Sequence, residues 1–329
     1  MLKLEEAINN PRNTTSTSTC SASESLPGKR NIPQVPWAVQ RKLWAYIFIS
    51  IPFLYFLVIF FGSMLASFSY SFQNFLSGSQ EHVFIGLANY KGIISDPEFQ
   101  KALINTLLFA LIRVPVLIVL SLGVALLLSG IKHFKGFFRM LYFLPFVTSS
   151  VAISWVFKFM YLPNFGIMTS FFDFLKIPRI AFLFDPDWAL LAIVAVTIWA
   201  NVGFYALIFL TGIEDIPTEY YEAARVDGAN SWQRFWNITI PLLNRTFVVV
   251  TMYCLIMSLQ TFTYVRMMSA DSGFGGPLDA TITLPIMIYK EAFSSMNMGR
   301  ASAISVIFFF IVLALSLLQR KVISREGDY

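Results

Sequence analysis

Six stretches of the chain, about 43–68, 102–129, 137–161, 188–213, 246–268 and 301–319, are apolar almost throughout. A spanning helix needs about 20 mostly apolar residues, since each adds roughly 1.5 Å across a hydrocarbon core of about 30 Å. Every stretch meets that length. Backbone groups in lipid must pair within their own segment, and runs this long without alternation predict helices rather than barrel strands. The expected fold class is an all-α membrane protein with six transmembrane helices over residues 43–319.

The flanks read differently. Residues 1–42 hold no apolar run, so no signal peptide is expected. A Ser/Thr-rich tract at 13–25, followed by Pro27, Pro33 and Pro36, predicts a largely disordered tail. Residues 320–329 form a second, short tail.

Composition agrees with the pattern. The chain is 56% hydrophobic and 13% charged, where soluble domains carry about 25% charged residues. An ordinary soluble enzyme is therefore excluded. Two Cys and two His, the latter far apart at His82 and His133, leave no Cys-rich or His-based metal site. Placement of charge sets the orientation. With both termini cytoplasmic, fifteen of the 24 Lys and Arg fall on the inner side and seven on the outer. The expected localisation is the cytoplasmic (inner) membrane, multi-pass. External segments then lie near 69–101, 162–187 and 269–300, and one internal loop spans 214–245.

That loop has a legible local design. Pro217 suits a first helical turn, where its missing N–H has no partner. Glu219 and Glu222 follow, favoured near a helix N-terminus. Tyr220, Ala223 and Ala224 share one face by their i, i+3, i+4 spacing. Gly228 is placed to stop the helix in a left-handed cap. Ser231 is placed to cap a second helix bearing Trp232, Phe235 and Trp236, and Pro241 to break the chain before the fifth span. Two short amphipathic helices joined at a glycine fit a docking element. The same pattern also fits helices lying in the lipid interface.

The order of residues from Glu222 through Ala223, Ala224, Arg225, Val226, Asp227, Gly228 and Ala229, then Ile240 to Leu243, resembles the "EAA" loop of permease subunits in binding-protein-dependent ABC importers. Ile216 to Tyr221 resembles the lead-in of the carbohydrate-uptake branch. Ile240 stands where Leu is frequent in that family. The resemblance implies the type I ABC importer permease fold, with a shared core over about 102–317. It implies a coupling helix seated in a groove of an ATPase, made by Glu222, Ala223, Ala224, Asp227 and Gly228 and flanked by Pro217, Tyr220, Trp232 and Pro241. The implied partners are a second homologous permease, two ATP-binding subunits and an extracytoplasmic solute-binding protein, besides membrane lipid. No cofactor is implied for this chain; ATP and Mg belong to the partner ATPases. No nucleic-acid partner is expected.

The chain has no phosphate-binding loop. Its only Gly-Lys pair, Gly28-Lys29, precedes Arg30 and has Ser23 where the first Gly belongs. ATP hydrolysis is therefore expected on another polypeptide, and this subunit is expected to be non-catalytic.

Polar groups at membrane depth mark a candidate solute path, because a centred Arg costs on the order of 2.5–3.5 kcal/mol on insertion scales. Arg113 lies two residues before Pro115. Carbonyls freed by the proline kink, a carboxylate on a partner chain, or the solute could all pair with it. Asn201 and Tyr205 are four apart, as are Gln260 and Tyr264, so each pair is expected on one helix face. Amide and aromatic groups together suit a sugar's hydroxyls and C–H faces, and hydrogen bonds between spans would use them equally well. Thr148, Ser149, Ser150 and Ser154 are read as packing residues bonded to their own helix. Arg266 fits outward snorkelling, or an acidic solute such as an alginate oligosaccharide, which some members of the resembled family carry.

Two rival classes remain on the table. An ion-gradient-driven secondary transporter usually shows internal repeats and intramembrane acids, and neither a convincing repeat nor an acid within the spans is found. An intramembrane enzyme would need a catalytic signature, and neither H-E-x-x-H nor G-x-S occurs.

Overall fold

A computed structural model describes residues 37–76, 83–163, 166–174, 176, 180–269 and 273–324. Most of the N-terminal tail and the last residues of the C-terminal tail lie outside the described residues. Two compact units are distinguished, Met1–Leu57 and Val58–Tyr329. In the first, helix α1 (Trp37–Phe56) is exposed along its described side chains. It starts ahead of the expected position 43, because nothing between Trp37 and that point breaks a helix.

In the second unit, α2 (Gly62–Tyr70) leads to a two-stranded antiparallel sheet, β1 (Gln73–Asn74) with β2 (Val83–Phe84), and then to α3 (Ala88–Ile94). The two longest helices follow, α4 (Pro97–Gly130) and α8 (Pro186–Glu214). Both open with the same device. Asp96 Oδ1 accepts from Glu98 N at 2.9 Å, and Asp185 Oδ1 from Asp187 N at 3.0 Å, each with proline at the first helical position. The aspartate supplies an acceptor for an orphan N–H, and the proline brings a fixed helical φ where no N–H is needed.

Among the described residues, five helices are long and apolar enough to cross a membrane, and a sixth crossing is formed if one bent pair counts as a span. That pair corrects the expected continuous third span. It consists of α5 (Lys135–Val147) and α6 (Ser150–Met160), bent by 88°. Pro145 removes a helical N–H in the last turn of α5. Thr148 and Ser149 then turn to extended ψ values of 143° and 125°. The fifth span is also broken, into α12 (Asn244–Leu259) and α13 (Thr263–Met268), after α7 (Ile167–Phe174), α9 (Thr218–Val226), α10 (Ser231–Arg234) and α11 (Ile240–Leu242). The last described helices are α14 (Leu284–Tyr289) and α15 (Met298–Ser324).

The core lies where α4 and α8 pack along each other and on α12. Leu117 and Ala125 of α4, Ile193 and Phe209 of α8, and Val250 of α12 are fully buried. Ser121 Oγ donates to Val202 O at 3.2 Å across the α4–α8 seam. Helix α5 closes on α8 at Gly203, where an added Cβ would fall inside 3.0 Å of the Tyr142 carbonyl and 3.1 Å from Phe143 N. Glu214, at the end of α8, is paired with both Lys135 and Arg139 of α5.

At the opposite end, Thr106 Oγ1 accepts from Leu284 N at 2.9 Å, and Asn105 Nδ2 donates to Ile282 O at 2.9 Å. Beyond α14, Lys290 pairs with Glu98 and Arg300 with Asp96, while Arg300 also pairs with Glu291. The segments on both sides of α14 are thereby bound to the start of α4.

Candidate functional site

The first candidate site is a cavity of about 220 Å³ walled by α4, α8, the break between α5 and α6, and the break between α12 and α13. Irregular backbone at membrane depth is tolerated where protein or a water-filled cavity takes up its polar groups. Both breaks meet that condition, since Phe146 and Ser150 border one and Gln260, Thr261 and Phe262 form the other.

Five of the six path residues expected from sequence meet here: Arg113, Asn201, Tyr205, Gln260 and Tyr264. Asn201 and Tyr205 share a face of the unbroken α8, as their spacing predicts. Gln260 and Tyr264 meet for another reason: the helix they were expected to share is interrupted between them. Arg266 is not among the lining residues. Its guanidinium lies 4.6 Å from the Phe274 ring centroid.

Arg113 is 3% exposed. Its Nη1 donates to Ser258 Oγ at 2.6 Å, and that hydroxyl in turn donates to Cys254 O at 2.6 Å. Among the described residues, Arg113 Nε has no hydrogen-bond partner. Of the partners considered for it, carbonyls freed by Pro115 do not hold the Nη1 group, which bonds to the neighbouring span instead. Asn201 Nδ2 donates to Thr197 O at 2.7 Å, so its Oδ1 and its second N–H are the groups left for the cavity. Phe146 stacks on Phe204 with centroids 4.3 Å apart, which fixes the ring at one wall.

Sequence reasoning missed Phe146, Thr197, Tyr253, Met257 and Thr261 to Thr263 as lining residues, and it assigned Ser150 to packing. The polar run from Gln260 to Tyr264, inside an otherwise apolar stretch, is the signal that could have located the second break.

The second candidate site is the loop between α8 and α12. Helix α9 ends in a Schellman motif: Ala229 N donates to Ala224 O at 2.8 Å and Gly228 N to Arg225 O at 3.1 Å. Gly228 takes a φ of +80°, the left-handed conformation expected of it. Pro217 is the residue before the first turn rather than inside it. The second helix is capped by Asn230, not Ser231. Asn230 Oδ1 accepts from Gln233 N at 2.8 Å, and Gln233 Oε1 accepts from Asn230 N at 2.8 Å. That reciprocal capping box was readable in the Asn-x-x-Gln spacing.

Of that second helix only Ser231–Arg234 is α-helical, and the chain then passes through a π turn, Phe235–Thr239. Pro241 does not break the chain; it sits in the first turn of α11. Tyr221 Oη and Thr239 Oγ1 lie 3.0 Å apart and tie the two halves together.

The outer face of the loop is bare. Glu222, Ala223, Asp227 and Gly228 are exposed, and Tyr220, Trp232 and Trp236 are exposed large rings. Trp232 and Trp236 pack edge to face at 5.7 Å. A Cβ added at Gly228 would meet nothing within 4 Å. Small residues beside a fixed aromatic cluster on a capped, rigid turn form a surface suited to a complementary groove.

The model of the family "Binding-protein-dependent transport system inner membrane component" matches residues 83–326. The chain is 34% identical over 286 residues to the Probable ABC transporter permease protein YurN of Bacillus subtilis, covering 86% of this chain and 96% of that protein. It is 32% identical to the Multiple sugar-binding transport system permease protein MsmF of Streptococcus mutans, with the same coverage, 86% and 96%. Its fold matches a chain from the crystal structure of a bacterial ABC transporter involved in the import of the acidic polysaccharide alginate. The TM-score there is 0.77 at 21% identity, over 88% of this chain and 97% of that one.

Proposed function

From the premise that the chain belongs to the binding-protein-dependent transport system inner membrane component family, we propose that it is the permease subunit of an ATP-driven importer for a sugar or oligosaccharide. The observation that carries the reading is the loop over 218–236: a rigid, capped helix pair whose small residues and aromatic rings face outward. Similarity to MsmF supports the carbohydrate branch. The cavity's amides and rings support a sugar passing beside Asn201, Tyr205, Gln260 and Tyr264.

In this reading Glu222 to Gly228 dock on an ATPase, with Pro217, Tyr220, Trp232 and Pro241 shaping the seat. Two such ATPases, holding ATP and Mg, supply the hydrolysis. A second permease completes the path and an extracytoplasmic binding protein delivers the solute. Both termini are cytoplasmic, with 1–42 and 320–329 as tails around the transmembrane region. ATP binding shifts the access equilibrium only as far as the loop binds its groove more tightly in one state than in the other.

Purification of the tagged chain in mild detergent, with mass spectrometry of what stays bound, tests the reading. A P-loop ATPase and a second six-span protein are expected. A chain that returns alone and moves a solute in vesicles without ATP would make it an ion-gradient-driven secondary transporter instead.

A further inference from the structure

We infer that the solute crossing this cavity carries a single negative charge and that Arg113 is its counter-charge. The inference rests on the sugar-importer reading and narrows its substrate class to an acidic sugar. It begins with an unbalanced charge. Arg113 is the only charged residue among the cavity's lining residues; Tyr205, Tyr253 and Tyr264 are neutral phenols. Its recorded hydrogen-bond partner, Ser258 Oγ, is a neutral acceptor already turned toward Cys254 O.

The helices around the cavity offer no anion. Helices α5, α6, α12 and α13 contain no Asp or Glu, and those of α4 and α8 stand at the ends, at Glu98, Asp187 and Glu214. A buried cation with an unsatisfied Nε therefore faces hydrogen-bonding and aromatic groups but no acid. Buried charges are retained where they are paired, so the pairing group comes from outside this chain.

The place of Arg113 favours the solute over a partner subunit. It shares a cavity wall of this chain with the amides and rings suited to sugar hydroxyls and C–H faces. A partner's carboxylate would have to fill that space itself. One guanidinium pairs with one anionic group, such as a carboxylate or sulfonate on a sugar.

The test uses the whole importer, with its partner permease, ATPases and binding protein, in vesicles. The probes are uronate-containing disaccharides and their carboxyl-reduced neutral counterparts. ATP-dependent uptake should favour the acidic member of a pair. Arg113→Gln should reduce the acid-over-neutral preference by about tenfold or more, and Arg113→Lys should retain most of it.

Wild-type uptake confined to neutral members overturns the inference while leaving the sugar-importer reading standing. An unchanged preference in Arg113→Gln also overturns it. So does loss of the second permease on purification of Arg113→Gln but not of Arg113→Lys, since the charge would then be paired between subunits. ATP-dependent uptake of no sugar at all overturns both readings.

Discussion

Gly203 offers a sharp test of how the cavity is built. Replacing it by Ala adds one carbon, which would fall inside 3.0 Å of the Tyr142 carbonyl, a separation real Cβ atoms essentially never show. The obstacle is backbone, so no side chain can rotate to relieve it. The α5 backbone has to retreat from α8 by on the order of 1 Å, and overpacking of that kind costs about 1–3 kcal/mol. Retreat also loosens the Phe146–Phe204 stack, now at 4.3 Å between centroids, which holds one cavity wall.

Gly203→Ala should therefore lower the melting temperature of the purified complex in detergent and reduce solute uptake in vesicles. Gly123→Ala in α4 is the control, because a Cβ there meets nothing within 4 Å. If Gly203→Ala melts and transports as Gly123→Ala does, the close approach of α5 to α8 is not what shapes the cavity.

Two further outcomes are expected. Gly228→Asp forces a side chain onto a φ of +80°, a conformation costing L-residues roughly 1–2 kcal/mol. Insertion should survive while solute-stimulated ATP hydrolysis and uptake separate, and normal stimulation with normal uptake would sink the docking assignment. Glu214→Gln leaves Lys135 and Arg139 without a shared anion. Stability should fall by no more than about 1 kcal/mol, as exposed pairs do, and the salt dependence of the melting temperature should weaken; an unaltered salt response would show that the pair contributes nothing.

The chain's positions in the membrane are readable because length and apolarity alone select a spanning helix, and the loop's glycine is readable because only a left-handed turn explains it. The two breaks escape that reasoning for a physical reason. Averaged hydropathy is blind to the direction of the backbone, so Pro145 and the Thr148-Ser149 pair vanish inside an apolar window, and so does the run from Gln260 to Phe262. Helical phase then fails past each break. Arg266, assigned to the path along with Gln260 and Tyr264, instead rests on Phe274. Asn201 and Tyr205 lie on an uninterrupted helix, and there spacing was enough.

The Glu214 clamp has a mechanical consequence. Helix α5 is held to α8 at two points, the ion pairs at its first residues and the backbone contact at Gly203. Two points of attachment restrain a rod from swivelling, so α5 should follow α8, whose end runs directly into the loop. Under the docking proposed for that loop, a push on it would reach the joint at Thr148 and Ser149, where the rod stops and the cavity begins.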